Sequence, residues 1–226
     1  MTTAELGKTA AIKRPRPNAR GRVVGRRTRQ EQQKQDSRVR ILDAAKKVLE
    51  TQPYPLLAVE DVIAEAQVSR TTFYRHFDSK FAIFRELHKP FSDALHRIYD
   101  ELGRYPDPTV GQMCDWVNSF LDYYRSQKTL VLAYAHIYAI EPDFYPIAEA
   151  MIETIFQRLS DRLPAFRRLL SDDEEAMTAK IEGFFLLQQI NYFAVEVATR
   201  PWVLDTDKAT LILAGRIRDF IRAHAS

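Results

Sequence analysis

The sequence predicts an all-helical protein, and three observations carry that prediction. Only seven of its 226 residues are glycine, and 28% are charged, a composition that suits long helices. From Lys80 onward the apolar residues recur at helical spacing, and no stretch alternates with the period of two that a strand requires. Most prolines stand between the periodic segments, at Pro53, Pro55, Pro106, Pro108, Pro142, Pro164 and Pro201, where they end one helix before the next begins.

The first periodic segment is 37–51, with Ser37 as its expected N-cap. Val39, Ile41, Leu42, Ala45, Val48 and Leu49 form its apolar side. Pro53 and Pro55 then break the chain. Residues 59–66 are long enough for two turns with Val59, Val62, Ile63 and Ala66 on one side, and Gln67-Val68 forms a turn. A third helical segment follows at 69–80, Ser-Arg-Thr-Thr-Phe-Tyr-Arg-His-Phe-Asp-Ser-Lys. Ser69 suits its N-cap; at about 100° per residue Phe73 and Phe77 share a face, while Thr71 and Arg75 point nearly opposite. Taken alone, this segment is either an ordinary amphipathic surface helix or one whose outer side enters a DNA groove. The helix, turn and buttressing helix before it follow the helix-turn-helix plan.

On these residues the chain resembles the TetR family of bacterial regulators. RILDAA (40–45), VEDVIAEAQVS (59–69) and TTFYRHFDSK (71–80) stand in that family's order and spacing. The resemblance implies a three-helix DNA-binding domain over 37–84. A larger helical ligand-binding and dimerisation domain over 85–226 follows, for about nine helices in all. It also implies a homodimeric regulator, most simply a repressor, that leaves its operator when a small apolar or amphipathic ligand binds. Its partners would be double-stranded DNA with a partly palindromic site, its own copy and an unidentified small molecule. Control by a protein partner and largely non-specific, architectural DNA binding are the competing readings.

Carried over residue by residue, Arg70 and Thr71 match base-facing positions, with Ser69 beside them and Arg75 able to join. Thr72, Tyr74, His76 and Lys80 match positions that meet phosphates. An Arg can bind O6 and N7 of guanine together, and a Thr methyl can meet the thymine methyl. The chain departs from the family pattern at three points. Gln67 stands where Gly is usual, so a left-handed backbone there costs about 1 kcal/mol. Ala58 replaces the usual Ser or Thr cap of the second helix. Glu60 and Asp61 favour that helix N-terminus, although Glu60 repels DNA.

The net charge of +3 conceals an asymmetry. Residues 1–36 hold ten Lys/Arg against three acids, while the rest of the chain holds 23 against 27. With Pro15, Pro17, Gly21 and Gly25 and little that is apolar, this arm is expected to have no fold of its own. Arg20, Arg22, Arg26 and Arg27 could lie along a minor groove, which favours inserted Arg. The other reading is a solubilising tail.

The remaining segments read as helices over 80–102, 109–126, 129–140, 143–162, 172–199 and 206–223. Pro90 is a candidate kink, and Ser171 with Glu174 a capping box. Aromatic stripes run through Trp116, Phe120 and Tyr124, through Tyr134 and Tyr138, and through Phe156. Such stripes are either core or the wall of a pocket. Gln188 and Asn191 interrupt apolar sequence and would orient a ligand. Together these eight residues are the candidate ligand contacts. Phe184, Leu187, Ala194, Leu213, Ala214, Ile217 and Ile221 supply the surface expected to pair with a second copy, as the family's last two helices do.

No enzyme, cofactor or metal chemistry is expected. The five histidines form no pair at three- or four-residue spacing, and neither a phosphate loop nor a nucleophile elbow occurs. The single cysteine, the lack of a long apolar run and the absence of a secretory-type start suggest a cytoplasmic protein with no membrane segment.

Overall fold

A computed structural model describes residues 19–171, 173–201 and 204–225, with side chains from Glu31 onward except at position 175. The described residues form ten α-helices and two short 3-10 turns, and no strand occurs among them. The smaller N-terminal unit consists of α1 (Ala19–Thr51), α2 (Val59–Ala66), α3 (Arg70–Tyr74) and the beginning of α4 (Lys80–Leu102). Its core is Ile41, Ala44 and Ala45 of α1, Val62 and Ala66 of α2, Phe73 and Phe77 around α3, and Ile83 and Leu87 of α4. The helical spacing read from the sequence therefore selects the residues that pack.

The first helix begins at Ala19 and not at Ser37. Ser37 is buried inside it, and its hydroxyl donates to the Lys34 carbonyl at 2.9 Å instead of capping a terminus. Residues 19–36, expected as part of an arm without secondary structure, continue the helix backwards. No proline lies between Pro17 and Pro53, and the Arg, Gln, Glu and Lys that fill the stretch all propagate a helix at little cost once its packed half has nucleated it. Residues 1–18 lie outside the described residues, as do the side chains of Arg20, Arg22, Arg26 and Arg27.

The larger unit contains the rest of α4, α5 (Val110–Ser126), α6 (Lys128–Ile140), α7 (Tyr145–Ser160), α8 (Pro164–Arg168), α9 (Glu174–Thr199) and α10 (Thr206–Ala223). Thr109 and Gln112 form a reciprocal capping box at the start of α5. Asp173 caps α9 by accepting from the Ala176 N–H at 2.8 Å; Ser171, the cap expected from sequence, donates to Asp173 instead. Helix α8 was not among the sequence expectations, because Pro164 looked only like a stop. It is the first residue of the new helix, a position where a missing N–H is harmless. Gly183 lets α9 approach α8 and α10, since a Cβ there would lie 3.1 Å from Leu169 Cδ1 and 3.2 Å from Phe220 Cζ.

The packing of α9 and α10 reverses part of the sequence reading. Leu187, Ala194, Leu213, Ala214, Ile217 and Ile221, expected at a surface between copies, are buried in this chain's own core. Of that set only Phe184 is exposed. The outward side of the two helices carries Ile181, Phe184, Phe185, Tyr192, Leu211 and Ile212, with Tyr192 66% exposed. Both sides of α9 are apolar, so spacing alone cannot say which one turns inward.

A third cluster joins the two units. Tyr54, from the 3-10 turn Tyr54–Leu56, packs with Phe84 of α4, Ala133 and Ile137 of α6, and Phe144 and Ala148 at α7. The Tyr54 hydroxyl donates to Glu141 Oε1 at 2.8 Å, tying the loop before α2 to the end of α6.

Candidate nucleic-acid interface

Ser69 starts α3 as the sequence suggests. Its hydroxyl oxygen accepts from the Thr72 N–H at 3.1 Å and its proton goes to Thr72 Oγ1 at 2.9 Å. Phe73 and Phe77 are buried, which fixes the rotation of the short helix, and Arg70, Thr71, Tyr74 and Arg75 face solvent. Those four side chains form one outward row. The turn before it is tight: Gln67 adopts φ 52° and ψ 47°, the left-handed conformation anticipated at the position usually held by Gly. Helix α2 has no side-chain cap at Ala58. Asp61 compensates by accepting from the Ala58 N–H at 3.3 Å.

Arg70 has partners within the protein. Its guanidinium lies 3.2 Å from Glu60 and 5.6 Å from the centre of the Tyr74 ring. The ion pair is exposed on both sides, so it is a weak restraint that leaves the arginine able to exchange partners.

Two residues expected at phosphates are occupied elsewhere. Lys80 Nζ donates to the carbonyls of Tyr54, Pro55 and Leu57 at 3.2, 3.3 and 3.2 Å and sits 4.8 Å from the Tyr54 ring centre. An ammonium has three donors, and here all three hold the loop that leads into α2. The His76 Nε2 lies 2.8 Å from Ser37 Oγ. Because the Ser37 proton goes to Lys34, the imidazole must be the donor, and it fastens α3 to α1. Burial first, then the charges of Arg75, Lys34 and Arg38, hold the His76 pKa below its ordinary value, consistent with this neutral donor.

Arg38 was missed by sequence reasoning. It forms an ion pair with Glu86 and lies 5.5 Å from the Phe77 ring centre, clamping α1 to α4 across the back of α3. The only signal was a long cationic side chain on the polar flank of a packed helix. Tyr54 was missed as well, since the prolines on either side of it read as punctuation.

The candidate ligand residues are divided between the core and the surface. Trp116, Phe120, Tyr124 and Phe156 are buried and packed in the core, with the rings of Phe120 and Tyr124 stacked at 4.8 Å. Trp116 Nε1 donates to the Ile98 carbonyl at 2.8 Å, and the Tyr124 hydroxyl donates to Asn191 Oδ1 at 2.7 Å. These polar tips are satisfied within the fold. Tyr134 is half-buried against His88, whereas Tyr138 and Gln188 face solvent. Gln188 lies on the outward side of α9, which removes the need for an internal partner.

Among the described residues no helix is long and apolar enough to cross a membrane. Residues 41–87 match the sequence profile of the bacterial regulatory proteins of the tetR family. No curated protein matches the chain by sequence. Among the solved structures that share its fold are two transcriptional regulators. One is a transcriptional regulator of the TerR/AcrR family from Aquifex aeolicus VF5, 19% identical, covering 83% of this chain and 98% of that one with a TM-score of 0.50. The other is a TetR-family transcriptional regulator from Streptomyces coelicolor, 18% identical, covering 85% of this chain and 97% of that one with a TM-score of 0.52. Over residues 41–87 the chain is thus similar to the tetR-family regulatory proteins, and its helical fold is that of the two solved regulators.

Proposed function

We propose that the protein is a dimeric repressor that binds a partly palindromic double-stranded operator and is released by a small apolar or amphipathic ligand in the cytoplasm. The observation that carries this reading is the exposed row Arg70, Thr71, Tyr74 and Arg75, on a helix whose other side is locked by Phe73 and Phe77. Arg70 and Thr71 read bases, and Thr72, Tyr74 and Arg75 meet the sugar-phosphate backbone. Ser69, His76 and Lys80 position this helix from within the domain. Arg20, Arg22, Arg26 and Arg27 add contacts beyond the reading helix, so 1–36 act as a basic extension of the 37–84 domain.

Dimerisation of the 85–226 domain is supported by the outward side of α9 and α10. Ile181, Phe184, Phe185 and Tyr192 follow helical spacing along α9, and Leu211 and Ile212 continue the apolar surface on α10. Contiguous apolar surface of this kind marks an association site. Pairing with a second copy through it buries the same patch twice, as a two-fold interface requires. Two reading helices then enter successive major grooves, about 34 Å apart.

The test is a binding titration against DNA selected from random sequence, run beside sedimentation of the same proteins. Arg70→Ala should cost on the order of 1–3 kcal/mol and relax preference at one base pair per half-site. Phe185→Asp should give a folded monomer with weak operator affinity. Binding without sequence preference in the parent protein would favour an architectural role, and an unchanged dimer in Phe185→Asp would move the interface elsewhere.

A further inference from the structure

Helix α4 carries His88, Ser92, His96 and Tyr99 at helical intervals, so they lie along one side of it. Three of these four have polar atoms with nothing to bond. Nε2 of His88, Nε2 of His96 and the Tyr99 hydroxyl are closed to solvent and lack a hydrogen-bond partner among the described residues. Buried polar atoms without partners oppose folding, and the two imidazole nitrogens, unlike the Tyr99 hydroxyl inside the core, belong to residues that another molecule can reach. His88 is only 7% exposed. Its ring stacks on Tyr134 at 5.6 Å, with Phe84, Phe91 and Phe144 close around it. Burial, with His96 adding to it, lowers the His88 pKa to about 4. At neutral pH it is therefore an uncharged hydrogen-bonding group.

The two histidines also line a groove of about 300 Å3 between α4 and α7. Phe144, Ile147, Ala150 and Met151 supply its apolar wall, and α4 adds Arg85, Lys89 and Asp93. The two helices run alongside each other, for Phe144 meets His88 at one end and Arg158 pairs with Asp100 at the other. The cations of Arg85 and Lys89 consequently lie toward the Phe144 end, Lys89 in a partly exposed pair with Glu86 at 2.6 Å, and Asp93 and His96 lie farther along. A flat apolar body suits the wall, a hydrogen-bonding edge suits the imidazoles, and a negative group suits the cationic end away from Asp93. Resting on the ligand-controlled reading above, we propose that this groove is the effector site and that its ligand is an aromatic monocarboxylate of one or two rings. The carboxylate meets Arg85 and Lys89, and the ring slides between His88 and α7.

Occupancy reaches DNA through α4. A ring inserted there moves the first half of α4 away from Phe144. Phe144 and Tyr54 both touch Phe84 edge-on, with ring centres 6.0 and 6.1 Å away. Lys80, the first residue of α4, holds the carbonyls of the loop that leads into α2. Displacing α4 therefore tilts the reading helix.

Titration calorimetry of the full chain without DNA, using 2-naphthoate and its uncharged amide, tests the site. The proteins are the parent, Arg85→Gln and His88→Phe, each also measured for affinity to selected operator DNA with and without the compounds. His88→Phe removes the unpaired nitrogen without opening a void, and a melting curve confirms its fold. Saturable naphthoate binding is expected in the parent, about tenfold weaker in Arg85→Gln while the amide is unaffected. His88→Phe should weaken both compounds. No naphthoate binding to the parent, or equal binding in all three proteins, overturns the proposal. If the amide binds and releases the operator while naphthoate does not, the acid class is wrong and ligand release survives. If naphthoate binds with the expected variant pattern and operator affinity does not change, the site stands and ligand release fails.

Discussion

Polar side chains stand beside packed apolar residues in two places, around α3 and along the inner side of α4, and the fold treats them in opposite ways. Around α3 each one is committed: Ser69 to Thr72, His76 to Ser37, and Lys80 to three carbonyls. Along α4, His88, His96 and Tyr99 have no partner among the described residues. The difference is physical before it is functional. A surface that must present four side chains in one geometry needs its supports fixed in advance. A seam with unused hydrogen-bonding capacity is destabilising when empty, and anything that satisfies it shifts the balance between conformations.

The largest expected effect breaks the comparison on the unsatisfied side. The His88 pKa is about 4 when folded against 6.5 ordinarily, first because of burial and then because of His96. The unfolded chain therefore takes up a proton that the folded chain refuses. This contribution is fully present above pH 6.5 and is lost as pH falls toward 4, on the order of 3 kcal/mol. Urea denaturation at pH 7 and pH 4.5 measures it, and His88→Phe should lose that part of the pH dependence. Equal slopes in the two proteins would mean that the imidazole finds a partner in solution.

Next in size is the satisfied side. Lys80→Met keeps the aliphatic stem and removes the ammonium, which should cost about 2 kcal/mol of stability. A phosphate-contacting lysine behaves differently: its loss leaves stability alone and lowers the salt slope of log affinity by about 0.9. Denaturation and a salt series on the one variant separate the two roles. The smallest effect has the opposite sign. Tyr99→Phe deletes a hydroxyl that bonds nothing and should gain up to about 1 kcal/mol, whereas Tyr124→Phe, which breaks the bond to Asn191, should lose a similar amount.

What could be read from the sequence follows from how local each signal is. The Ser69 cap and the buried Phe73 and Phe77 depend on residues a few positions apart, the left-handed Gln67 is expected from the family resemblance, and all are found where expected. Lys80 is different: its partners lie about 25 residues earlier, and nothing beside it marks the loop it closes. Helix α9 defeats pattern reading for another reason. Leu187 and Ala194 on one side and Phe185 and Tyr192 on the other are all plausible core, and only the positions of α5 and α10 decide between them. Gln188 followed from the same ambiguity. Its supposed burial came from an apolar stripe that turned out to face outward.

The Gln67 turn bears on how long a molecule of this regulator lasts. A residue with a side chain held at φ 52° leaves the helix-turn-helix about 1 kcal/mol short of the stability that Gly would give, and the shortfall makes the unfolded state roughly five times more populated. Proteases act on that fraction, so Gln67→Gly should slow proteolysis of the chain while leaving the exposed row on α3 unchanged.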